Sequence, residues 1–167
     1  MKLSRSAYIT TLIVINIILD QATKIIVRQH VPYRQDSNII GDYLILTNVE
    51  NEGAFLGMGS DFNPTLKLIV LLIVPVIVLG YVLYYIITNK QLDKLSVIGF
   101  ACMIGGGAAN VYDRIRYGSV TDFFHLDFGG VFKTGIFNAA DMSVTGGMIM
   151  ILVASFLYKK PKQEAAK

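Results

Sequence analysis

The sequence is poor in charge and in reactive side chains. Only 16% of its 167 residues are charged, one is cysteine and two are histidine. A single cysteine, Cys102, excludes an internal disulfide, and it reads as a small packing residue. Two isolated histidines, His30 and His125, lack ligand spacing for a metal and have no partnered serine or cysteine motif. No G-x-S-x-G occurs. A nucleophilic triad and a metal centre are therefore both disfavoured, and neither a metal nor a cofactor is expected.

What is abundant is apolar: 53% of the residues are hydrophobic and the mean hydropathy is +0.53. This is the composition of a small integral membrane protein. Four apolar segments, about residues 7–27, 66–87, 95–112 and 139–158, approach the roughly 20 residues a helix needs to cross the hydrocarbon. The expected fold is an all-α membrane protein, a single integral membrane domain over 1–167 with four spans. An extracytoplasmic β-cradle over about 29–65 and a short interfacial segment complete it.

Four spans place both termini on one side. There, eight basic residues (Lys2, Arg5, Lys90, Lys94, Lys159, Lys160, Lys162, Lys167) face only Asp93 and Glu164, a surplus of six positive charges. The remaining seven basic and ten acidic residues leave −3 elsewhere, giving the net +3. The excess marks the cytoplasmic side, so both termini are expected there. The basic balance thus reports topology and no nucleic-acid partner. Lys2 and Arg5 before an apolar run resemble a signal peptide, but Asp20-Gln21-Ala22-Thr23-Lys24 follows in place of a small-x-small cleavage site, so an uncleaved span is expected.

Acids beside such segments invite a functional reading, because a charge at bilayer depth costs about 2.5–3.5 kcal/mol on insertion scales. Asp20 and Lys24 lie four apart on one helical face, either as a neutralising salt bridge or as a support for a site. The 29–65 region holds five acids and six Gly or Pro residues, with a β-favouring run from Ile39 to Val49. Asn51-Glu52-Gly53-Ala54-Phe55 after it is an ordinary turn or one that brings backbone close to a ligand. Pro75 is expected to kink the second span, and Gly105-Gly106-Gly107 in the third lets another helix approach.

Asn110 and Arg114 share a helical face, and Arg114 offers its planar fork either to a carbonyl or carboxylate or to an interfacial pair with Asp113. Asp122 enters an aromatic cluster with Phe123, Phe124, Phe128 and Phe132, read as an amphipathic segment in the interface. Asn138 and Asp141 have capping-box spacing, which explains a carboxylate at Asp141 but not one at Asp122. Brought together, two carboxylates can share a proton and hydrolyse an amide without a covalent intermediate. The alternative is a small proton-coupled transporter using the same paired acids.

In order along the chain, Asp20-Gln21-x-x-Lys24, Asn51-x-Gly53-Ala54, Asn110-x-x-Asp113-Arg114, Val120-x-Asp122-Phe123 and Phe137-Asn138-x-Ala140-Asp141, with Gly146 beyond, resemble the lipoprotein signal peptidases, the aspartyl signal peptidase II family of bacteria. Two positions depart from the family pattern: Phe55-Leu56 follows Gly53-Ala54, and Ala109 precedes Asn110. The resemblance implies that Asp122 and Asp141 form a catalytic dyad. It also implies that Asn51, Gly53, Asn110, Arg114 and Asn138 line the site, with Asp20 and Lys24 supporting it. Implied too is cleavage of prolipoproteins before a diacylglyceryl-modified cysteine, near the extracytoplasmic face of the bacterial cytoplasmic (inner) membrane. The expected partners are those precursors and membrane lipid, with the chain acting as a monomer.

The topology generates one test. In intact cells, Cys102, if labelled by a membrane-permeant thiol reagent, should resist an impermeant one; rapid labelling by the impermeant reagent would contradict a mid-span position.

Overall fold

The computed structural model describes residues 4–54 and 57–158. The basic residues at 2, 159, 160, 162 and 167, the acid at 164 and the departure at 55–56 lie outside the described residues.

Four helices are long and apolar enough to cross a membrane: α1 (Arg5–His30), α2 (Pro64–Thr88), α3 (Lys94–Tyr117) and α4 (Ala139–Leu157). Their ends are fixed by local chemistry. Ser4 accepts the N–H of Ala7 ahead of α1, Asp93 accepts that of Ser96 ahead of α3, and Gly118 in the left-handed region closes α3. Arg5 at the start of α1 donates to the carbonyls of Ile86 (3.2 Å) and Asn89 (2.8 Å) at the end of α2, tying these two ends together. Directly ahead of Pro75, α2 contains a π-helical stretch, Leu68–Ile73. The irregularity falls beside the proline, where the helical ladder lacks an N–H.

The bundle is inside-out by the standard of soluble proteins. A small interior of Ile9, Ile86, Val97 and Ile104 joins α1, α2 and α3. Large apolar side chains such as Ile18 (59% exposed), Ile77 (64%) and Phe156 (71%) face outward, as they do where the solvent is hydrocarbon. Each of the three consecutive glycines of α3 serves a different neighbour. A Cβ on Gly105 would meet Asn16 and Ile13 of α1, one on Gly106 the carbonyl oxygen of Ala140 in α4, and one on Gly107 the side chain of Leu79 in α2. Gly99 of α3 and Gly147 of α4 interlock in the same way, each blocked by the other's carbonyl.

Three strands, β1 (Ser37–Ile40), β2 (Leu44–Asn51) and β3 (Val120–Leu126), form an antiparallel sheet in the order β1-β2-β3. The β-favouring run therefore divides at a turn over 41–43. The segment around Asp122 is a strand of this sheet, and Phe128 and Phe132 of the same aromatic cluster lie beyond its end and are exposed. Its residues 120–123 are all buried, because β2 covers one edge and the backbone of Phe137 bonds to Phe123 and Phe124 on the other. Aromatic content alone does not distinguish a buried strand from an interfacial segment. The β2–β3 register slips between Leu46 and Val49, a bulge beside Asp122.

Gly106→Val should push α4 away from α3, lowering stability by about 1–3 kcal/mol and activity with it, since Ala140 adjoins Asp141. Gly80→Ala, whose Cβ meets nothing, should leave the Tm unchanged or slightly raised. Thermal melts in detergent check both.

Candidate active site

Asp122 comes from β3 and Asp141 from the first turn of α4, and both line one small cleft of about 30 Å³. Asn51, Ala54, Asn110, Arg114, Val120 and Ile136 complete its wall. The capping box read from the sequence is present: the Asn138 side chain accepts the Asp141 N–H (2.9 Å), and the Asp141 carboxylate accepts the Asn138 N–H (3.1 Å). The same asparagine also bridges the two acids, because its Nδ2 donates to Asp122 Oδ1 at 2.6 Å.

Two further carboxamides complete the cradle. Asn110 Nδ2 donates to Asp141 Oδ1 (2.9 Å), and Asn51 Nδ2 donates to Asp122 Oδ2 (2.9 Å). Each amide is oriented from behind. The Oδ1 of Asn110 accepts from Lys24 Nζ (2.8 Å) and Asn138 Nδ2 (3.3 Å); the Oδ1 of Asn51 accepts the Gly53 N–H (2.9 Å). Gly53 is required by space, since a Cβ there would sit 2.5 Å from the Gly57 backbone. Arg114 Nη2 donates to the Gly53 carbonyl (2.7 Å), so its fork meets a peptide carbonyl, one of the two options the sequence leaves open.

Asp20 and Lys24 do form an ion pair, at 2.8 Å, and both are fully buried. Asp20 Oδ1 also accepts the Ala140 N–H (2.8 Å), pinning the head of α4 beside Asp141. All nine residues singled out from the sequence thus gather around one cleft or directly behind it. The interfacial Asp113–Arg114 pair does not form. Asp113 is fully buried and pairs with Lys24 (2.9 Å) and Arg28 (3.1 Å). Gln21, which the sequence motif includes without a role, donates to Asp113 (3.0 Å), and Arg28, which sequence reasoning missed, donates to Thr121 (2.7 Å). The signal for Arg28 was the four-residue spacing of 20, 24 and 28 on one helical face.

Burial holds the Asp122 carboxyl well above its ordinary 3.8, at about 6; the nearby Asp141 charge adds to this, while the Asn51 and Asn138 hydrogen bonds oppose it. A second space, an apolar groove of about 440 Å³ along α4, opens beside Asp141 and is lined by Leu126, Ile136, Phe137, Met142 and Ile149 among others. Among the described residues, no group of three His, Cys, Asp or Glu could hold a metal ion.

Four apolar helices whose ends, with a small sheet, hold two acids in a shared cleft make the frame of a small membrane enzyme. Two solved structures, both described as a bacterial membrane enzyme, share it. One superposes with a TM-score of 0.80 at 27% identity, covering 96% of this chain and 94% of its own; the other gives 0.77 at 28%, covering 92% and 94%. The family model for signal peptidase II matches residues 12–157, and the chain belongs to that family. Curated relatives agree over most of their length. A lipoprotein signal peptidase of Clostridium acetobutylicum is 35% identical over 84% of this chain and 88% of its own. One of Chlorobium phaeobacteroides is 36% identical over 94% of each.

The titration of Asp122 generates a stability test. A carboxyl raised on folding contributes stability that is complete below the unfolded value, near 3.8, and lost as pH rises through about 6. The wild type should therefore lose on the order of 3 kcal/mol between pH 4 and pH 8 from this group. The loss should be absent in Asp122→Asn, as read by thermal melts of each variant against its own low-pH value.

Proposed function

We propose that this chain is a membrane aspartyl endopeptidase that removes signal peptides from prolipoproteins, cutting before the diacylglyceryl-modified cysteine. One observation carries the reading: the family's two motif acids, Asp122 and Asp141, reach a single cleft from a strand and from a helix head. Family membership supports the substrate class, and the carboxamide cradle supports the chemistry.

In this mechanism Asp122 holds the shared proton, in keeping with its burial. Asp141 is the anion, placed at the head of α4 where the helix dipole favours negative charge. Asp141 takes a proton from a water molecule, whose oxygen bonds to the scissile carbonyl carbon. Asp122 gives its proton to the carbonyl oxygen, and a neutral diol forms. Asp141 then delivers its proton to the amide nitrogen and the C–N bond breaks. The second diol proton returns to Asp122, leaving a carboxylic acid, a free amine and the dyad in its starting state. Asn51, Asn110 and Asn138 orient the two carboxylates. Arg114 and Gly53 hold the turn above them, while Asp20 and Lys24 support the cleft from behind.

The layout suits a substrate whose lipid chains stay in the bilayer. The apolar groove beside Asp141 gives the signal segment an approach from the membrane, and water enters from the extracytoplasmic side. We place both termini in the cytoplasm, with the whole chain as one membrane domain acting as a monomer. The sheet then forms a cradle on the outer leaflet. Exposed Ile39, Ile40, Tyr43, Phe128, Val131 and Phe132 at the sheet margin favour that placement.

The test uses purified protein in lipid, with a diacylglyceryl-modified prolipoprotein and its unlipidated twin. Wild type should cleave only the lipidated form, and Asp122→Asn and Asp141→Asn should each lose about 10²–10⁴-fold in kcat. Cleavage by both variants would show that the dyad is misassigned. If wild type cleaves neither substrate but moves protons or solute across the bilayer, the transporter alternative replaces the peptidase.

A further inference from the structure

Arg28, Tyr117 and Thr121 meet Asp113 and Glu50 behind β3, and the proposed dyad assigns no role to Arg28 or Thr121. Thr121 is fully buried and precedes Asp122 on the strand, so its side chain points to the opposite face. Its hydroxyl accepts from Arg28 Nε (2.7 Å) and donates to Glu50 Oε1 (2.8 Å), the residue directly across the ladder. Glu50 also accepts the Ser119 hydroxyl, at 2.5 Å.

Arg28 is itself clamped. It lies 3.1 Å from Asp113 Oδ2, and its guanidinium sits 4.1 Å from the centre of the Tyr117 ring. Neither terminal nitrogen makes a hydrogen bond of good geometry. The directed bond of this side chain is therefore the one to Thr121.

The strand needs that support because its ladder is defective beside Asp122. Between Leu46 and Val49, β2 carries a bulge, so regular pairing is interrupted next to the Val49–Asp122 pair. The bulge is lashed to the same end of α1: Asn48 Nδ2 donates to the Val31 carbonyl at 2.9 Å. Arg28 thus does for Asp122 what Asp20 does for Asp141, from the next positions of one helical stripe.

Resting on the peptidase reading above, we infer that Arg28 is a positioning residue: acting through Thr121, it holds the strand that carries Asp122 in reacting geometry. It is not part of the wall of the cleft. A misplacement of about 1 Å in a reacting group can cost about 10²-fold in rate, so the effect should appear in kcat.

The experiment compares Arg28→Met, Thr121→Val, Thr121→Ser and the double variant Arg28→Met/Thr121→Val on the diacylglyceryl-modified prolipoprotein. Rates are normalised to folded protein by size exclusion and thermal melting. Arg28→Met and Thr121→Val should each lower kcat about 10- to 100-fold with KM within about threefold of wild type. The double variant should fall no further than either single one, and Thr121→Ser, which restores the hydroxyl, should recover most of kcat. If Arg28→Met fails to fold, the near-isosteric Thr121→Val and its serine counterpart carry the comparison.

An unchanged kcat per folded molecule, additive losses, or equal losses in Thr121→Ser and Thr121→Val would overturn the inference, because a purely structural role lowers folded yield without those signatures. Failure of the wild type itself to cleave would overturn the peptidase reading and this inference with it.

Discussion

The structure depends on an ammonium group buried between helices. Lys24 is fully inaccessible, and its three N–H donors are matched by three acceptors, Asp20, Asp113 and Asn110, each within 2.9 Å. Arg28 supplies the second positive charge, so two acids and two bases form a neutral set inside an apolar bundle. Removing one member of such a set leaves an uncompensated charge, at a cost of about 3–5 kcal/mol. The geometry that pairs these charges also fixes the elements that carry them: α1 and α3 through Lys24 and Asp113, and the head of α4 through the Ala140 N–H on Asp20.

The cleft itself is built on a different principle. Three asparagines surround the two carboxylates, and each is oriented by a group behind it. An amide N–H aims a carboxylate without neutralising it, whereas an adjacent cation would favour the ionised form and work against a shared proton. Among the described residues no cation pairs directly with either carboxylate. Lys24 acts through Asn110, and Arg114 donates to the Gly53 carbonyl. This division lets a charged network give rigidity while the two carboxylates of the cleft are held by amides.

Much of this was legible in the residues. Apolar length gave the four spans, Asn138 and Asp141 gave the capping box, and the i, i+4 spacing of Asp20 and Lys24 gave their ion pair. Asp113 was harder to read, because its partner across helices depends on which face of α3 meets α1, and adjacent Arg114 offered a nearer but geometrically wrong partner. The third strand was hidden for a similar reason. Buried on both faces and short, β3 lacks the alternation that marks a half-exposed strand, and its partner β2 lies about seventy residues earlier in the chain.

The placement of the acids follows from what a membrane permits. Within hydrocarbon every backbone group must be bonded internally, so a helix can cross but a free strand edge cannot. Amide hydrolysis needs the opposite environment: water, and an extended peptide brought beside acids. A helix head and a small sheet can meet both demands together. The head of α4 offers a carboxylate aligned by its own capping box. The strand β3 offers a second one, sealed on one edge by β2 and on the other by Phe137. Since one acid rides on a helix head and the other on a bulged strand, their separation is set by the ties between the two: Asn138 and the Phe137 backbone on the side of α4, and the Arg28–Thr121 bond on the side of α1.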